Sequence, residues 1–287
     1  MLNAKLTNKL ATVMFWAIGF GILSILAWFL WHILSAGLPH ISWNFLTRKP
    51  EEMIAGGGIG PQLFNSFYIL FLSLLFSIPF GIGAGIWLAE YARKNWFTDL
   101  VRLATEMLAS VPSIVFGLFG LLVFVTTLHL GYSIIGGALT LSLLNLPVLV
   151  RVTEETLRAV PDSYREASLA LGATKWQTIR KVLLPSALPG LVTGVTLVAG
   201  RALGESAILI FTAGVSVSRF APDLNLFASG ETLSVHLWYV RSEGLVPDAT
   251  QIAEGTAALL VLVVLILNLL IALPSRLYQR KMAGKSS

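Results

Sequence analysis

The 287-residue sequence contains no cysteine, which excludes a disulfide framework, a thiol nucleophile and any metal site built on thiolates. It is also poor in charge: 12% of its residues are Asp, Glu, Lys or Arg, against about 25% in a soluble domain. Since 55% are hydrophobic, the chain reads as an integral membrane protein with lipid as its main surroundings. His32, His40, His129 and His236 are scattered without metal-ligand spacing, so no metal site is expected. The glycine run at 56–60 is not followed by Gly-Lys-Ser/Thr; it is no P-loop and points to a flexible segment instead. Neither a Ser/His/Asp set, paired carboxylates nor a dinucleotide fingerprint is present, so the chain is not expected to be an enzyme. The net charge of +5 falls at the ends of apolar segments rather than on one face, which marks topology and speaks against a nucleic-acid partner.

What is abundant is long apolar sequence. About 20 residues suffice to cross a bilayer, and six runs qualify, at about 11–34, 63–91, 99–129, 134–150, 187–211 and 252–274. The first lacks the short core and cleavage site of a signal peptide and reads as a retained helix. Pro79 with Gly81, Gly83 and Gly85 predicts a kinked second helix that another helix approaches closely. The chain divides into an N-terminal helix and outer loop (1–62), a membrane core (63–275) that includes a polar loop at 153–186, and a basic tail (276–287). In the outer loop at 213–251, Leu233, Leu237 and Val240 suit a helix lying flat at the interface. Fifteen lysines and arginines fall on the side of the N-terminus and four on the other (Arg48, Lys49, Arg219 and Arg241), which places both termini and the 153–186 loop in the cytoplasm. Asn65, Ser66, Ser73, Ser77, Asn145 and Asn268 mix helix contacts with pore lining.

Residues 161–185, PDSYREASLALGATKWQTIRKVLLP, are polar and basic between apolar neighbours. Asp162 and Glu166 suit the positive end of a short helix, Gly172 permits the left-handed reversal after it, and Thr174 with Gln177 opens a second helix in capping-box spacing that Pro185 should halt. The order Glu166-Ala167-Ser168, three residues, Gly172, nine residues, Val182, then Leu184-Pro185 resembles the EAA loop of ABC importer permeases, with Ser168 and Val182 in place of alanine and isoleucine. The resemblance implies a helical hairpin seated in a groove of a cytoplasmic ATPase subunit, with Glu166, Ala167, Ser168, Gly172, Ala173 and Trp176 as the coupling residues.

Arg201 and Glu205 lie inside the fifth apolar run, where each would cost about 2.5 to 3.5 kcal/mol if left facing lipid. Spaced by four, they are expected on one interior helix face beside Gly200 and Gly204. Two readings stay open: mutual neutralisation, or presentation of the guanidinium fork to an anion. The segments 201–214, 110–120 and 57–61 resemble phosphate-importer permeases of the PstA type, with Ser206 for threonine and Ile208 for a proline that would bend the helix. This implies an all-α type I ABC importer permease with six membrane helices in a bacterial inner membrane. It further implies Arg201, Glu205 and Ser206 in the substrate pathway, two ABC ATPase subunits that use ATP and Mg²⁺, a second permease subunit of the PstC type, and a periplasmic phosphate-binding protein. No cofactor is expected on this chain. The rivals are a permease for phosphonate, sulfate or molybdate, and an ion-coupled carrier.

Overall fold

The computed structural model describes residues 4–51, 54–217, 222–244 and 246–282. Among them the chain is helical with no strand, apart from an isolated bridge between Val217 and Gly230. The first helix, α1 (Ala4–Gly37), is apolar all round and stands off the bundle, with Trp16 and Phe20 76% and 73% exposed. A helix apolar on every side with no protein around it is dressed for lipid. It touches the rest near its end, where a Cβ on Gly37 would lie 2.1 Å from the Glu254 carbonyl oxygen.

A short helix, α2 (Trp43–Thr47), capped by Ser42, leads into the glycine run. The run is not a flexible linker. Gly58, Ile59 and Gly60 donate backbone hydrogen bonds to Lys49, Phe45 and Arg48, at 2.8, 2.8 and 3.0 Å. A Cβ on Gly57 or Gly58 would meet backbone atoms of Glu51 or Arg48 at 2.7 and 2.6 Å. Glycine is there for close approach of backbone to backbone.

The next helix, α3 (Gly60–Ile86), ends in a π-turn (Trp87–Tyr91). After it, the expected third span is broken: α4 (Trp96–Ser110) and α5 (Ser113–Gly120), the latter continued by a π-turn (Leu121–Thr127), meet at 98° across Val111-Pro112. Proline lacks an N–H and forces the residue before it out of the helical region; Val111 is extended, with ψ 132°. Among the described residues five helices are long and apolar enough to cross a membrane, and six only if this bent pair counts as one. The next span, α6 (Ile134–Arg158), runs eight residues past its expected end at Val150 and carries Arg151, Glu154 and Glu155 on its last turns.

Helices α3 and α6 form the most extensive pair in the bundle. Gly81 and Gly85 make it possible: a Cβ on either would lie 2.6 Å from Leu149 Cβ or 2.4 Å from Thr153 Cβ. Where lipid tails are as apolar as leucine, helices associate through such close packing. The polar residues of α3 also serve contacts: Ser66 Oγ accepts the Leu233 N–H (2.8 Å), and Asn65 Nδ2 donates to the Glu231 carbonyl (3.0 Å).

Beyond α6 come the hairpin helices α7 (Asp162–Ala170) and α8 (Lys175–Thr178), then a π-turn (Ile179–Leu183), α9 (Leu184–Leu203) and α10 (Ala207–Thr212). Helix α11 (Leu233–Glu243) turns the three residues expected at an interface into the bundle instead. Leu233 is 0% and Val240 7% exposed, and Leu237 packs against the same core as Ile69, Ile134 and Leu209. The last helix, α12 (Ala249–Met282), extends into the basic tail; Lys285, like Arg219, lies outside the described residues.

Candidate functional site

The hairpin is built as its sequence dictates at the turn. Helix α7 ends at Ala170, and Gly172 takes φ +81°, so that its N–H reaches the Leu169 carbonyl (2.9 Å) and that of Ala173 reaches Ser168 (3.2 Å). The capping box forms: Thr174 Oγ1 accepts from the Gln177 N–H (3.3 Å), and Gln177 Oε1 accepts from the Thr174 N–H (2.8 Å). Pro185 does not halt the second helix. The π-turn at Ile179–Leu183 widens the ladder just ahead of it, so the missing N–H and the proline ring are tolerated and the helix runs unbroken from Lys175 to Leu203. The hairpin is therefore a direct continuation of a membrane helix rather than a loop hung between two.

Glu166 and Ala167 are exposed on α7, and Glu166 has no ion-pair partner among the described residues. Around them, Tyr164, Leu169, Leu171 and Trp176 are 50%, 50%, 89% and 54% exposed. Four large apolar side chains clustered on a protruding hairpin mark a contact surface. Ser168 faces inward instead, its Oγ 2.9 Å from Thr178 Oγ1, and pins α7 against the start of the rising helix; Ala173 is half-buried in the turn. Beneath the hairpin, Leu157, Ile179 and Leu183 are fully buried together with Val160, Ala187 and Leu191, a second core separate from that of the bundle.

The residues expected in a substrate pathway are arranged differently from expectation. Helix α9 stops at Leu203, Gly204 caps it, and Glu205 and Ser206 are not helical. The break needs no proline: Ile208 sits buried in α10, and Ser234 Oγ holds the break by donating to the Glu205 carbonyl (2.8 Å). With the helix interrupted, the spacing of four no longer places Arg201 and Glu205 on one face. They form no ion pair, and no carboxylate among the described residues lies within pairing distance of Arg201. Arg201 is exposed, and Glu205 and Ser206 are half-buried. On α9 the exposed positions Ser186, Thr193, Leu197 and Arg201 recur at intervals of seven and four, which is one helical stripe. Ser186 and Thr193 donate back to their own helix, to the Val182 and Pro189 carbonyls at 2.8 and 2.9 Å, so Arg201 is the group that makes this stripe a poor lipid face. Its back, at Gly200, approaches Asn268 of α12, where a Cβ would meet Asn268 Oδ1 at 3.5 Å.

His236, read as a solitary residue, is part of a buried cluster: its Nδ1 lies 3.3 Å from Glu231 Oε2, to which Gln62 Nε2 donates (2.8 Å). Local sequence carried no sign of it, because Gln62 and Glu231 are 169 residues apart. Among the described residues no group of three or more His, Cys, Asp or Glu is placed to hold a metal.

Residues 81–284 match the family described as the binding-protein-dependent transport system inner membrane component. Over 278 residues the chain is 49% identical to a probable ABC transporter permease protein, YqgI, of Bacillus subtilis, covering 93% of this chain and 95% of that one. It is 35% identical over 266 residues to the phosphate transport system permease protein PstA of Pasteurella multocida, covering 92% and 93%. Among solved structures, a bacterial ABC transporter involved in alginate import superposes with a TM-score of 0.61 at 14% identity, over 95% of this chain and 98% of that one. The MetNI methionine ABC transporter does so with 0.58 at 22%, over 77% and 94%. The fold is thus the all-α type I permease fold of ABC importers. The chain belongs to the binding-protein-dependent inner membrane components and is a membrane-spanning permease subunit of an ABC importer.

Proposed function

We propose that this permease carries inorganic phosphate into the cytoplasm. The observation that carries the reading is Arg201: a guanidinium exposed on a membrane-spanning stripe, with no acidic partner among the described residues, beside a break in the helix. Its planar fork donates two parallel charge-assisted hydrogen bonds to a tetrahedral oxyanion, and Glu205 and Ser206 shape the route at the break. The PstA relatives, such as that of Yersinia pestis at 37% identity, support phosphate over other oxyanions.

In this reading the segment 1–62 anchors the chain in lipid, 63–275 is the translocating core, and both termini face the cytoplasm with the basic tail 276–287. The exposed face of the hairpin, Glu166, Ala167 and Trp176 with their apolar neighbours, seats in an ABC ATPase subunit; Gly172, Ala173 and Ser168 give it its shape. Two ATPase copies bind and hydrolyse ATP with Mg²⁺, this chain binding no cofactor of its own. A second permease subunit of the PstC type faces the Arg201 stripe, and a periplasmic phosphate-binding protein delivers the cargo. Closure of the ATPases moves the hairpin, and because α8 and α9 are continuous, the stripe moves with it. Uptake of labelled phosphate into proteoliposomes holding the whole complex tests the cargo. Unlabelled phosphate should compete, whereas sulfate, molybdate and phosphonate should not; competition by one of these instead reassigns the substrate. Uptake that persists without ATP under an ion gradient would mark an ion-coupled carrier.

A further inference from the structure

Arg165 stands next to Glu166 in sequence but points the opposite way, and its surroundings suit neither lipid nor a partner protein. Its side chain is 19% exposed and that of Glu90 is 8% exposed. The guanidinium has five N–H groups, and five contacts use them. Nε and Nη2 both donate to Glu90 Oε1, at 3.1 and 2.8 Å; Nη2 also donates to the Leu157 carbonyl (2.7 Å); and Nη1 donates to the Val160 carbonyl (2.7 Å) and Asp162 Oδ1 (3.1 Å). One side chain thus joins the π-turn that ends α3, a carbonyl in the last turn of α6 and one just beyond it, and the first turn of α7. Lys175, at the start of α8, joins the same point: its Nζ donates to the Glu90 carbonyl and lies 4.7 Å from the centre of the Tyr91 ring. The receiving segment is the π-turn Trp87–Tyr91, an irregularity of the kind that marks functional positions in helices.

Resting on the coupling role of the hairpin, we propose that Arg165, with Glu90 as its counter-charge, is the positioning residue that makes α3, α6 and the hairpin one rigid body. The apolar core beneath the hairpin fastens it to α6 and α9 through Leu157, Ile179 and Leu183, with Ile86 and Ala89 from the end of α3 packed against its edge; the Arg165–Glu90 pair adds the charged tie to α3. Helices α3 and α6 are in turn locked by the seam at Gly81 and Gly85. Loss of Arg165 therefore leaves the protein folded and the hairpin attached through its apolar core, but lets the locked α3–α6 pair lag behind it. Lysine keeps the charge and loses the fork, with three donors for acceptors on three segments.

The native chain has no cysteine, so spin labels at Lys181→Cys, in the π-turn at the base of the hairpin and outside its contact surface, and at Phe80→Cys on α3, both exposed, report the distance between the two bodies in the full complex. In the otherwise unmutated complex this distance should be narrow and insensitive to nucleotide. In Arg165→Gln it should broaden and shift when ATP is added, with partial effects in Glu90→Gln and Arg165→Lys. Phosphate carried per ATP should fall roughly tenfold in Arg165→Gln, within the range of coupling between linked sites, while the amount of bound ATPase stays near the unmutated value. A distance in Arg165→Gln as narrow and as indifferent to nucleotide as in the unmutated complex overturns the clamp alone, as does a nucleotide-dependent distance in the unmutated complex. Absence of the ATPase from the purified unmutated complex overturns the hairpin reading, and the clamp with it.

Discussion

Arg165 and Arg201 are the same residue type in opposite surroundings. Every donor of Arg165 has an acceptor within its own chain, and the residue ties three helices together. Arg201 lies in a membrane-spanning helix, where an unanswered charge is costly, and among the described residues it has no acidic partner. A saturated guanidinium is architecture, and an unsaturated one at a costly depth is held for something that arrives from outside the chain. In the proposed reading the pair also separates two tasks: the hairpin end transmits force, and the exposed α9 stripe meets the cargo.

The comparison breaks most directly at Arg201. Arg201→Ala should lower phosphate uptake by roughly a hundredfold, the scale for losing one charged donor at a decisive step, while the complex assembles and its ATPase turns over. Near-normal uptake would show Arg201 to be as structural as Arg165. At the hairpin the effects should be smaller and mechanical. Gly172 sits at φ +81°, where a Cβ costs about 1 to 2 kcal/mol; Gly172→Ala should lower the thermal midpoint of the complex and weaken ATPase retention, read by calorimetry and co-purification. The smallest change is Ser168→Ala. It removes the 2.9 Å contact with Thr178 and should cost about 1 kcal/mol or less, leaving uptake intact; a large loss of uptake would move Ser168 from the hinge of the hairpin to its contact surface.

What the sequence made legible was local. Thr174 and Gln177 at capping spacing and Gly172 at the turn follow from the chemistry of neighbouring residues, and the structure has them where those rules put them; of the apolar runs, the first, second and last are continuous spans close to their expected bounds. What was hidden depends on distance or on angle. Mean apolarity could not tell that α4 and α5 meet at 98°, although Pro112 marked the place. The exposed Trp96, Phe97, Leu100 and Leu103 of α4 share their helix with Arg102, whose Nε donates to Glu154 Oε1 of α6 (2.8 Å). The break at Gly204 to Ser206 was masked because every residue there tolerates a helix, and it is anchored from α11 by Ser234. Glu90 and Arg165 are 75 residues apart, beyond the reach of any periodicity. Pro185 misled for a physical reason: a π-turn ahead of it lets the helix continue.

The central claim is that the hairpin is the surface through which an ATPase drives the permease. Leu171 is 89% exposed at its tip, and the absence of native cysteine makes Leu171→Cys a single, clean attachment point. In the purified complex, a short thiol-to-amine cross-linker at that position should trap the ATPase subunit, with a yield that changes when ATP is added. A complex that retains its ATPase, yet yields no such product from position 171 while cysteines elsewhere on the cytoplasmic face do, would contradict the claim.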